Sequence, residues 1–179
     1  MKEIEVKARI NNPQEILDKL KKLGCDLSEP ITQNDSVFVP EGFVYGQGRK
    51  KGINFLRIRE LKGRIIFTLK QPQLNELDCI EKELDIDKVD TMKDILKLLG
   101  YHEGVKVNKV RIKCKYKDYE VCVDEVDGLG SFVEVEKITD EDAEEVQKEL
   151  FDFLISLGVK KEDRETHGYD VLMHNKLNK

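Results

Sequence analysis

The sequence lacks several features that would assign it to a familiar class of protein. No stretch of its 179 residues approaches about eighteen consecutive apolar residues, so no membrane-spanning helix is predicted. Its three histidines form no HxxxH or HxH pattern, and its four cysteines show neither a C-x-x-C pair nor zinc-site spacing. The segment GQGRKKG lacks the G-K-[ST] ending of a Walker loop. These absences argue against a zinc, P-loop or membrane protein.

Charge is abundant but not strongly one-sided. Charged residues make up 37% of the chain and hydrophobic residues 39%, with a net charge of −5. This balance suits a folded protein and argues against a nucleic-acid partner. Met1 leads directly into a strand pattern with no signal-peptide core. We therefore expect a cytoplasmic protein that folds as a single domain over residues 1–179.

Hydrophobic periodicity predicts an α+β fold with mostly antiparallel strands. Eight strands are predicted, at residues 3–10, 31–39, 53–61, 64–71, 77–86, 104–116, 119–127 and 131–138. The dipeptide Lys62-Gly63 predicts a tight hairpin between two of them. Three of the cysteines, Cys79, Cys114 and Cys122, lie in strand patterns, as expected of small, reduced core residues.

Four helices are predicted from capping signals and apolar stripes. The first has Asn12 as N-cap, Pro13 at its first position and Gly24 after its end. The second covers residues 90–100, the third opens with Thr139 or Asp140 as cap, and a short fourth runs near 165–176. The Gly-rich segment 40–52, with its basic residues Arg49, Lys50 and Lys51, is predicted to be a mobile loop.

Most strands carry charge on every second residue. In the first strand, Glu3, Glu5 and Lys7 alternate with Ile4 and Val6, so charged and apolar side chains take opposite faces. The same alternation, often with one sign of charge per strand, recurs in LRIR (56–59), EKE (81–83), KVRIK (109–113) and VEVEK (133–137).

Two architectures fit this pattern. An open sheet could bury its apolar face against helices and leave its charged face in water. Alternatively, the eight strands could close into a barrel with a charged interior and helices packed outside. Each buried charge costs roughly several kcal/mol unless it is paired with an opposite charge or contacts a bound ligand. An interior rich in both signs would therefore suit a polyphosphate with Mg²⁺ or Mn²⁺, which prefer oxygen ligands.

The ordered set of motifs resembles the CYTH superfamily, the triphosphate tunnel proteins. Its N-terminal E-x-E-x-K signature is matched by residues 3–7. The remaining motifs follow in the family's order: LRIR (56–59), the Lys of TLK (70), EKE (81–83), KVR (109–111), the Asp of CVDEVDGLG (124), VEVE (133–136) and the C-terminal GYDVLM. The likeness spans nearly the whole chain.

The resemblance implies an eight-stranded antiparallel tunnel and an enzyme that acts on a small triphosphate. The family's activities are class IV adenylyl cyclisation, hydrolysis of thiamine triphosphate or inorganic triphosphate, and RNA 5′-triphosphate hydrolysis. A chain of this length and layout looks most like the class IV cyclase branch. The alternatives are an inorganic or thiamine triphosphatase and a non-catalytic module that binds polyphosphate or nucleotide. A homodimer is the family-based expectation.

By the same resemblance, site residues carry over onto matching positions. The triphosphate would be gripped by Lys7, Arg57, Arg59, Lys70, Lys109 and Arg111. Mg²⁺ or Mn²⁺ would be held among Glu3, Glu5, Glu81, Glu83, Asp124, Glu134 and Glu136. The residues expected to carry catalysis are Glu5, Lys7, Glu134 and Glu136.

Overall fold

A computed structural model of the protein describes two compact groups of residues. The described residues are 1–46 and 52–178. The first unit contains residues 1–31 and 109–166, and the second contains residues 32–108 and the C-terminal residues from 167 onward. Each unit has its own hydrophobic core. That the chain is a single domain stays a prediction.

The described residues form nine strands and four helices. The strands are β1 (Lys2–Ile10), β2 (Ile31–Pro40), β3 (Phe55–Leu61), β4 (Arg64–Pro72), β5 (Asp78–Asp85), β6 (Tyr101–Tyr116), β7 (Tyr119–Val126), β8 (Gly130–Thr139) and β9 (Arg164–Glu165). The helices are α1 (Pro13–Lys22), α2 (Val89–Leu98), α3 (Ala143–Ser156) and α4 (Tyr169–Leu177). The sequence predicts all of these except the two-residue β9. Of the described helices, none has the length and apolar character needed to cross a membrane.

The first unit is an antiparallel sheet packed against two helices. Its strands lie in the order β9, β1, β8, β7 and the C-terminal half of β6. Ile4 and Val6 of β1 are fully buried and join the valines of β7 and β8 against Leu20 of α1 and Leu150 of α3. Burial of each such side chain contributes roughly 1.5–3 kcal/mol. The apolar face of the alternating strands is therefore the core of this unit.

Helix α1 begins and ends where the sequence predicts. Pro13 occupies the first turn, and Gly24 adopts a φ of +83°, the left-handed conformation that ends a helix. Asn12 holds the N-cap position, but its side chain makes no capping hydrogen bond there. Its amide instead donates to the Glu15 carboxylate at 2.8 Å.

The predicted start of α3 is wrong by two to three residues. The cap is Asp142, whose Oδ1 accepts from the backbone N–H groups of Glu144 and Glu145 at 3.0 and 3.1 Å. Thr139 still belongs to β8, and the Asp140 carboxylate contacts the N-terminal amine at 2.8 Å. The strand runs further than its apolar pattern suggests and shifts the helix start along the chain.

The second unit contains a four-stranded antiparallel sheet in the order β2, β3, β4, β5. The predicted hairpin joins β3 to β4, and Lys62 and Gly63 both adopt positive φ angles of 48° and 78°. Two such residues give the turn that matches the twist of paired strands. Phe38, Leu56 and Leu96 are buried in the core of this unit.

The predicted basic loop is described only in part. Residues 41–46 are described, and there Tyr45 stacks on His174 of α4 with ring centroids 4.1 Å apart. Arg49, Lys50 and Lys51 lie outside the described residues, so their predicted mobility stays a prediction.

The cap assignment predicts a contrast between two nearby aspartates. Asp142→Ala removes an acceptor for two helical N–H groups and should lower the free energy of unfolding by about 1 kcal/mol. Asp140→Ala removes only an exposed contact with the N-terminus and should change it little. Urea unfolding followed by circular dichroism measures both. A larger loss for the Asp140 variant would contradict the cap assignment.

Candidate active site

Strand register places the charged residues of β1 and β8 side by side. Lys7 lies opposite Glu134, and Glu5 lies opposite Glu136. Because side chains alternate along a strand, these four residues share the face opposite the apolar core. The pattern seen in the separate motifs of the sequence is therefore brought together across two neighbouring strands.

The charged face of the first unit is buried rather than solvated. Lys7, Asp124 and Glu134 are 2%, 0% and 4% exposed, and Lys109 and Arg111 are 5% and 8% exposed. These five charged side chains are thus nearly inaccessible to water, although they lie on the face opposite the apolar core. The open-sheet alternative, with its charges in bulk solvent, is wrong for this unit.

Lys7 is held by two carboxylates. Its Nζ lies 3.0 Å from Oε1 of Glu134 and 3.4 Å from Oε1 of Glu5. Burial alone would lower the pKa of Lys7, but the charges of these two carboxylates outweigh it and raise the pKa above its ordinary value. The ammonium group is therefore fully charged at neutral pH despite its burial.

Arg111 makes a bidentate ion pair with Asp124. Its Nε and Nη2 donate to the two carboxylate oxygens at 2.7 and 2.6 Å, and Lys109 Nζ lies 3.3 Å from Oδ2 of the same residue. Burial alone would raise the pKa of Asp124, but Arg111 and Lys109 lower it below its ordinary value. The planar guanidinium is thereby fixed in one orientation.

Glu134 links the two groups of charges. Its Oε2 accepts a hydrogen bond from Nη2 of Arg111, while its Oε1 faces Lys7. Burial opposes ionisation, yet Lys7 and Arg111 hold the pKa of Glu134 well below its usual value. A single carboxylate thus positions cations that arrive from β1 and β6.

Three further carboxylates form a group that could hold a metal ion. Oxygen atoms of Glu3, Glu5 and Glu136 lie within 4.8 Å of one another. An all-oxygen set of partly exposed carboxylates is the donor chemistry that Mg²⁺ and Mn²⁺ prefer. Burial and the neighbouring charges of Glu5 and Glu134 raise the pKa of Glu136 to about 7. The residues therefore fit the expected divalent ion.

The charge balance of this face also favours a bound cation. The predicted site residues of the first unit comprise three bases and five acids: Lys7, Lys109, Arg111, Glu3, Glu5, Asp124, Glu134 and Glu136. With all of them ionised the acids exceed the bases by two. One divalent cation would neutralise that excess, and its charge would favour the ionised form of Glu136.

The second unit holds the other predicted site residues in pairs of its own. Arg57 Nη2 lies 3.0 Å from Oε1 of Glu83 and donates to Thr68 Oγ1 at 3.1 Å. Lys70 forms an ion pair with Glu81. Glu81 and Glu83 thus contact cations of their own unit, and neither belongs to the described groups of carboxylates arranged to share a metal ion.

Sequence reasoning missed Asp35. This residue of β2 lies opposite Arg59 and accepts two hydrogen bonds from its guanidinium, both at 2.7 Å. Asp35 is only 5% exposed. One signal in the sequence could have indicated it: Asp35 lies two residues from Gln33, so the two polar side chains share a face of β2. This strand does not carry a charge on every second residue, and Asp35 was therefore overlooked.

The predicted site residues are divided between the two units. Eight of them share the first unit, and the remaining five lie in the second: Arg57, Arg59, Lys70, Glu81 and Glu83. Within the first unit, Asp124 and Glu134 contact basic side chains, whereas the group suited to a metal is Glu3, Glu5 and Glu136. The individual catalytic, substrate and metal roles stay predictions.

Comparison with known sequences finds a family match and two named relatives. Residues 1–169 match the sequence profile of the CYTH domain. The chain is 30% identical over 169 residues to "Putative adenylate cyclase MJ0240" of Methanocaldococcus jannaschii, covering 91% of this chain and 93% of that protein. It is 25% identical over 179 residues to "Adenylate cyclase CyaB" of Aeromonas hydrophila, covering 98% and 90%.

Solved structures with the same fold include proteins from an archaeon and a plant. The PH1819 protein of Pyrococcus horikoshii is 27% identical with a TM-score of 0.79, and the match covers 97% of this chain and 99% of that one. The Hippeastrum protein HpAC1, described as a putative adenylyl cyclase with a dominant triphosphatase activity, is 20% identical with a TM-score of 0.61, covering 93% and 90%. The matches confirm the predicted fold class, an α+β fold built on antiparallel strands, which this chain shares with these solved structures.

The buried and exposed arginine–aspartate pairs predict a contrast in stability. Asp124→Asn removes the carboxylate that pairs with both buried cations, leaving Arg111 with Glu134 alone, and should lower the free energy of unfolding by about 3–5 kcal/mol at pH 7. Asp85→Asn, which breaks an exposed pair with Arg64 in the second unit, should change it little. Denaturant unfolding of the metal-free protein measures both.

The difference in unfolding free energy between wild type and Asp124→Asn should also depend on pH. The folded-state pKa of Asp124 is lowered, so its carboxylate stabilises the fold above its unfolded pKa of about 3.9. That contribution is lost as the pH falls through the folded-state pKa. The difference between wild type and Asp124→Asn should therefore be constant from pH 7 to 5 and shrink below about pH 3.9. A difference that grows on acidification would contradict the assigned ion pair.

Proposed function

This chain belongs to the CYTH domain family, and we propose that it is a divalent-metal-dependent enzyme that acts on a triphosphate. The specific activity we propose is that of a class IV adenylyl cyclase, which converts ATP to cyclic AMP and pyrophosphate. The relatives named as adenylate cyclases support this choice.

The buried charged face of the first unit carries the proposal. Three basic side chains, Lys7, Lys109 and Arg111, are nearly inaccessible to solvent, and each forms an ion pair with Asp124 or Glu134. A simple structural core gains little from so many charges, since apolar residues of equal volume are often at least as stabilising. Cations held in fixed positions and out of water are, however, suited to binding a phosphate chain.

The acidic group supplies the second requirement of phosphoryl chemistry. We propose that Glu3, Glu5 and Glu136 hold the Mg²⁺ or Mn²⁺ ion. A bound divalent ion would neutralise phosphate charge and increase the acidity of a coordinated hydroxyl.

The protein's own residues then position the substrate. Arg111 presents a guanidinium whose plane is fixed by Asp124, and phosphate oxygens would compete with that carboxylate for its N–H groups. Lys7 contributes a compact positive charge. Its ammonium group lies between Glu5, a member of the acidic group, and Glu134. The second unit's Arg57, Arg59 and Lys70 are also proposed phosphate ligands.

In the proposed cyclisation, the ribose 3′-hydroxyl attacks the α-phosphorus of ATP and pyrophosphate leaves. The same charged residues would serve a triphosphatase, in which water attacks the terminal phosphorus instead. The second candidate function is therefore hydrolysis of inorganic or thiamine triphosphate. It is supported by the shared fold with HpAC1, which is described as having a dominant triphosphatase activity. A cytoplasmic location and a homodimer also stay predictions.

Product analysis tests the proposed reaction. The full chain is incubated with ATP, inorganic triphosphate or thiamine triphosphate in the presence of Mg²⁺ or Mn²⁺, and the products are separated by chromatography. Cyclic AMP with an equal amount of pyrophosphate is the expected result. Release of orthophosphate would contradict the cyclase and support a triphosphatase. Binding of triphosphate without turnover would contradict an enzyme of either kind.

The proposed metal group predicts the effect of one substitution. Glu5→Gln removes a charged ligand, so it should weaken Mn²⁺ binding and lower turnover at limiting Mn²⁺ by at least the roughly 10- to 100-fold typical of losing an outer-shell partner, with partial recovery at high Mn²⁺. Glu125→Gln, on an exposed position of β7 where the carboxylate contacts Ser131, is the matched control and should behave as wild type. Calorimetry measures the metal affinity independently of turnover. Equal Mn²⁺ affinity in the two variants would remove Glu5 from the metal group.

A further inference from the structure

Cys122 lies on the charged face of β7. Its neighbours Val121 and Val123 join the hydrophobic core of the first unit, as Cys114 of β6 does. Cys122 points the other way and lies opposite Glu134 of β8. Its side chain is fully buried, at 0% exposure. The thiol predicted to be an ordinary core group is thus placed among ionised side chains.

Two carboxylates lie close to this thiol. Sγ of Cys122 and carboxylate oxygens of Glu120 and Glu136 all lie within 4.8 Å of one another, and Sγ is 4.0 Å from Oε1 of Glu120. Two donors on one zinc ion can be at most about 4.5 Å apart, given bond lengths near 2.3 Å to sulfur and 2.0–2.2 Å to oxygen. Small side-chain rotations would therefore bring all three donors onto a single ion.

The thiol makes no hydrogen bond outside this cluster within the described part of the chain. Its contact with Glu120 is at the outer limit for sulfur. A buried, polarisable donor is thus directed at two carboxylates with only weak pairing.

We propose that Cys122, Glu120 and Glu136 form a second cation site that selects a thiophilic divalent ion such as Zn²⁺. One sulfur and two carboxylate oxygens are three of the four ligands of a tetrahedral zinc ion, and water would supply the fourth. Coordination requires the thiolate, and the displaced thiol proton leaves to solvent. Mg²⁺ is a poor occupant, because it favours six oxygen ligands over sulfur.

Glu136 makes this site antagonistic to the oxygen-only group. It belongs to both sets of donors, with Glu3 and Glu5 in one and with Glu120 and Cys122 in the other. A Zn²⁺ ion that engages Glu136 takes a ligand from the proposed Mg²⁺ or Mn²⁺ site. On the basis of the proposed function, Zn²⁺ is therefore an inhibitor of the metal-dependent reaction, and Cys122 is the residue that confers the sensitivity.

Lys113 is the competitor that a metal must displace. Its Nζ lies 3.0 Å from both carboxylate oxygens of Glu120. The pair is partly exposed, with 44% of the Lys113 side chain accessible, so solvent screening makes it a weak interaction. Lys113 can therefore turn to solvent when an ion arrives. Removing its charge should strengthen metal binding.

Cobalt provides a direct spectroscopic test, since a Co²⁺–thiolate bond gives a charge-transfer absorption band. The probe is Co²⁺ added to full-length protein without any triphosphate, in a background where Cys25, Cys79 and Cys114 are replaced by alanine. We expect one equivalent of Co²⁺ to generate the band and Zn²⁺ to abolish it. The added substitution Cys122→Ala should remove the band, and Lys113→Gln should shift its titration to lower Co²⁺ concentration.

Two results would overturn the proposal: no thiolate band in the Cys122-only protein, or a band of the wild-type protein that persists in the single variant Cys122→Ala. If circular dichroism shows that the triple-alanine background does not fold, wild type and the single Cys122→Ala variant give the same comparison. Calorimetry with Zn²⁺ should then show a loss of affinity of roughly 100-fold or more, beyond the 10- to 100-fold typical of an outer-shell partner.

Inhibition of turnover by Zn²⁺ tests the functional consequence of the site. It also separates the proposed cation site from the proposed enzymatic activity. Micromolar Zn²⁺ should inhibit Mg²⁺-dependent turnover of wild type and of the matched control Cys114→Ala, while Cys122→Ala should resist it. Equal inhibition of all three would overturn the antagonism. If no turnover of any triphosphate is found, the proposed function fails, but the cobalt band still decides whether the thiolate site exists.

Discussion

The ion-pair network around Glu134 is the interaction on which the rest of the site depends. One carboxylate faces Lys7 from β1 and Arg111 from β6, and Arg111 in turn faces Asp124. Each group is nearly inaccessible to water, so each is stable as a charge only because its neighbours are present. The network fixes the directions of the cations before any anion arrives. It also makes the charged face sensitive to loss of any one member.

The two units differ in how their charges balance. In the second unit Arg57, Arg59 and Lys70 each face a carboxylate of their own. In the first unit the same number of cations faces a larger number of acids, and the excess is concentrated around Glu136. Burial together with the neighbouring acids raises the pKa of Glu136. The excess of acidic charge that a divalent ion would neutralise is therefore confined to one face of the sheet in the first unit.

Alternation predicted which residues share a face, whereas the enclosed charged face was predicted only through the resemblance to a known family. Alternation alone placed Glu5 with Lys7, because side chains on a strand repeat every second residue. A strand with one face in water shows the same pattern, so the burial of Lys7 required the paired strands. Cys122 shows the same limit, since a small residue between two valines resembles core on either face. Its contacts follow from the β7–β8 register.

The N-cap of α3 and the partner of Arg59 could not be predicted from the sequence. In the first case several residues were equally suitable, and in the second the two residues lie far apart along the chain. Thr139, Asp140 and Asp142 can all cap a helix, and the choice between them depends on where β8 stops pairing with β1. Asp35 could not be paired with Arg59 from the sequence, because the register between β2 and β3 is set across a long connection.

The pairing of β1 with β8 has a consequence for how the chain is made. Lys7 must pair with a residue synthesised more than a hundred positions later. At roughly 5–20 residues per second on the ribosome, the first strand waits on the order of ten seconds for its partner. During that interval its alternating charges keep an unpaired, half-apolar strand soluble and discourage wrong partners. The residues that we assign to phosphate and metal binding are thus also the charges that the unpaired first strand presents before the site exists.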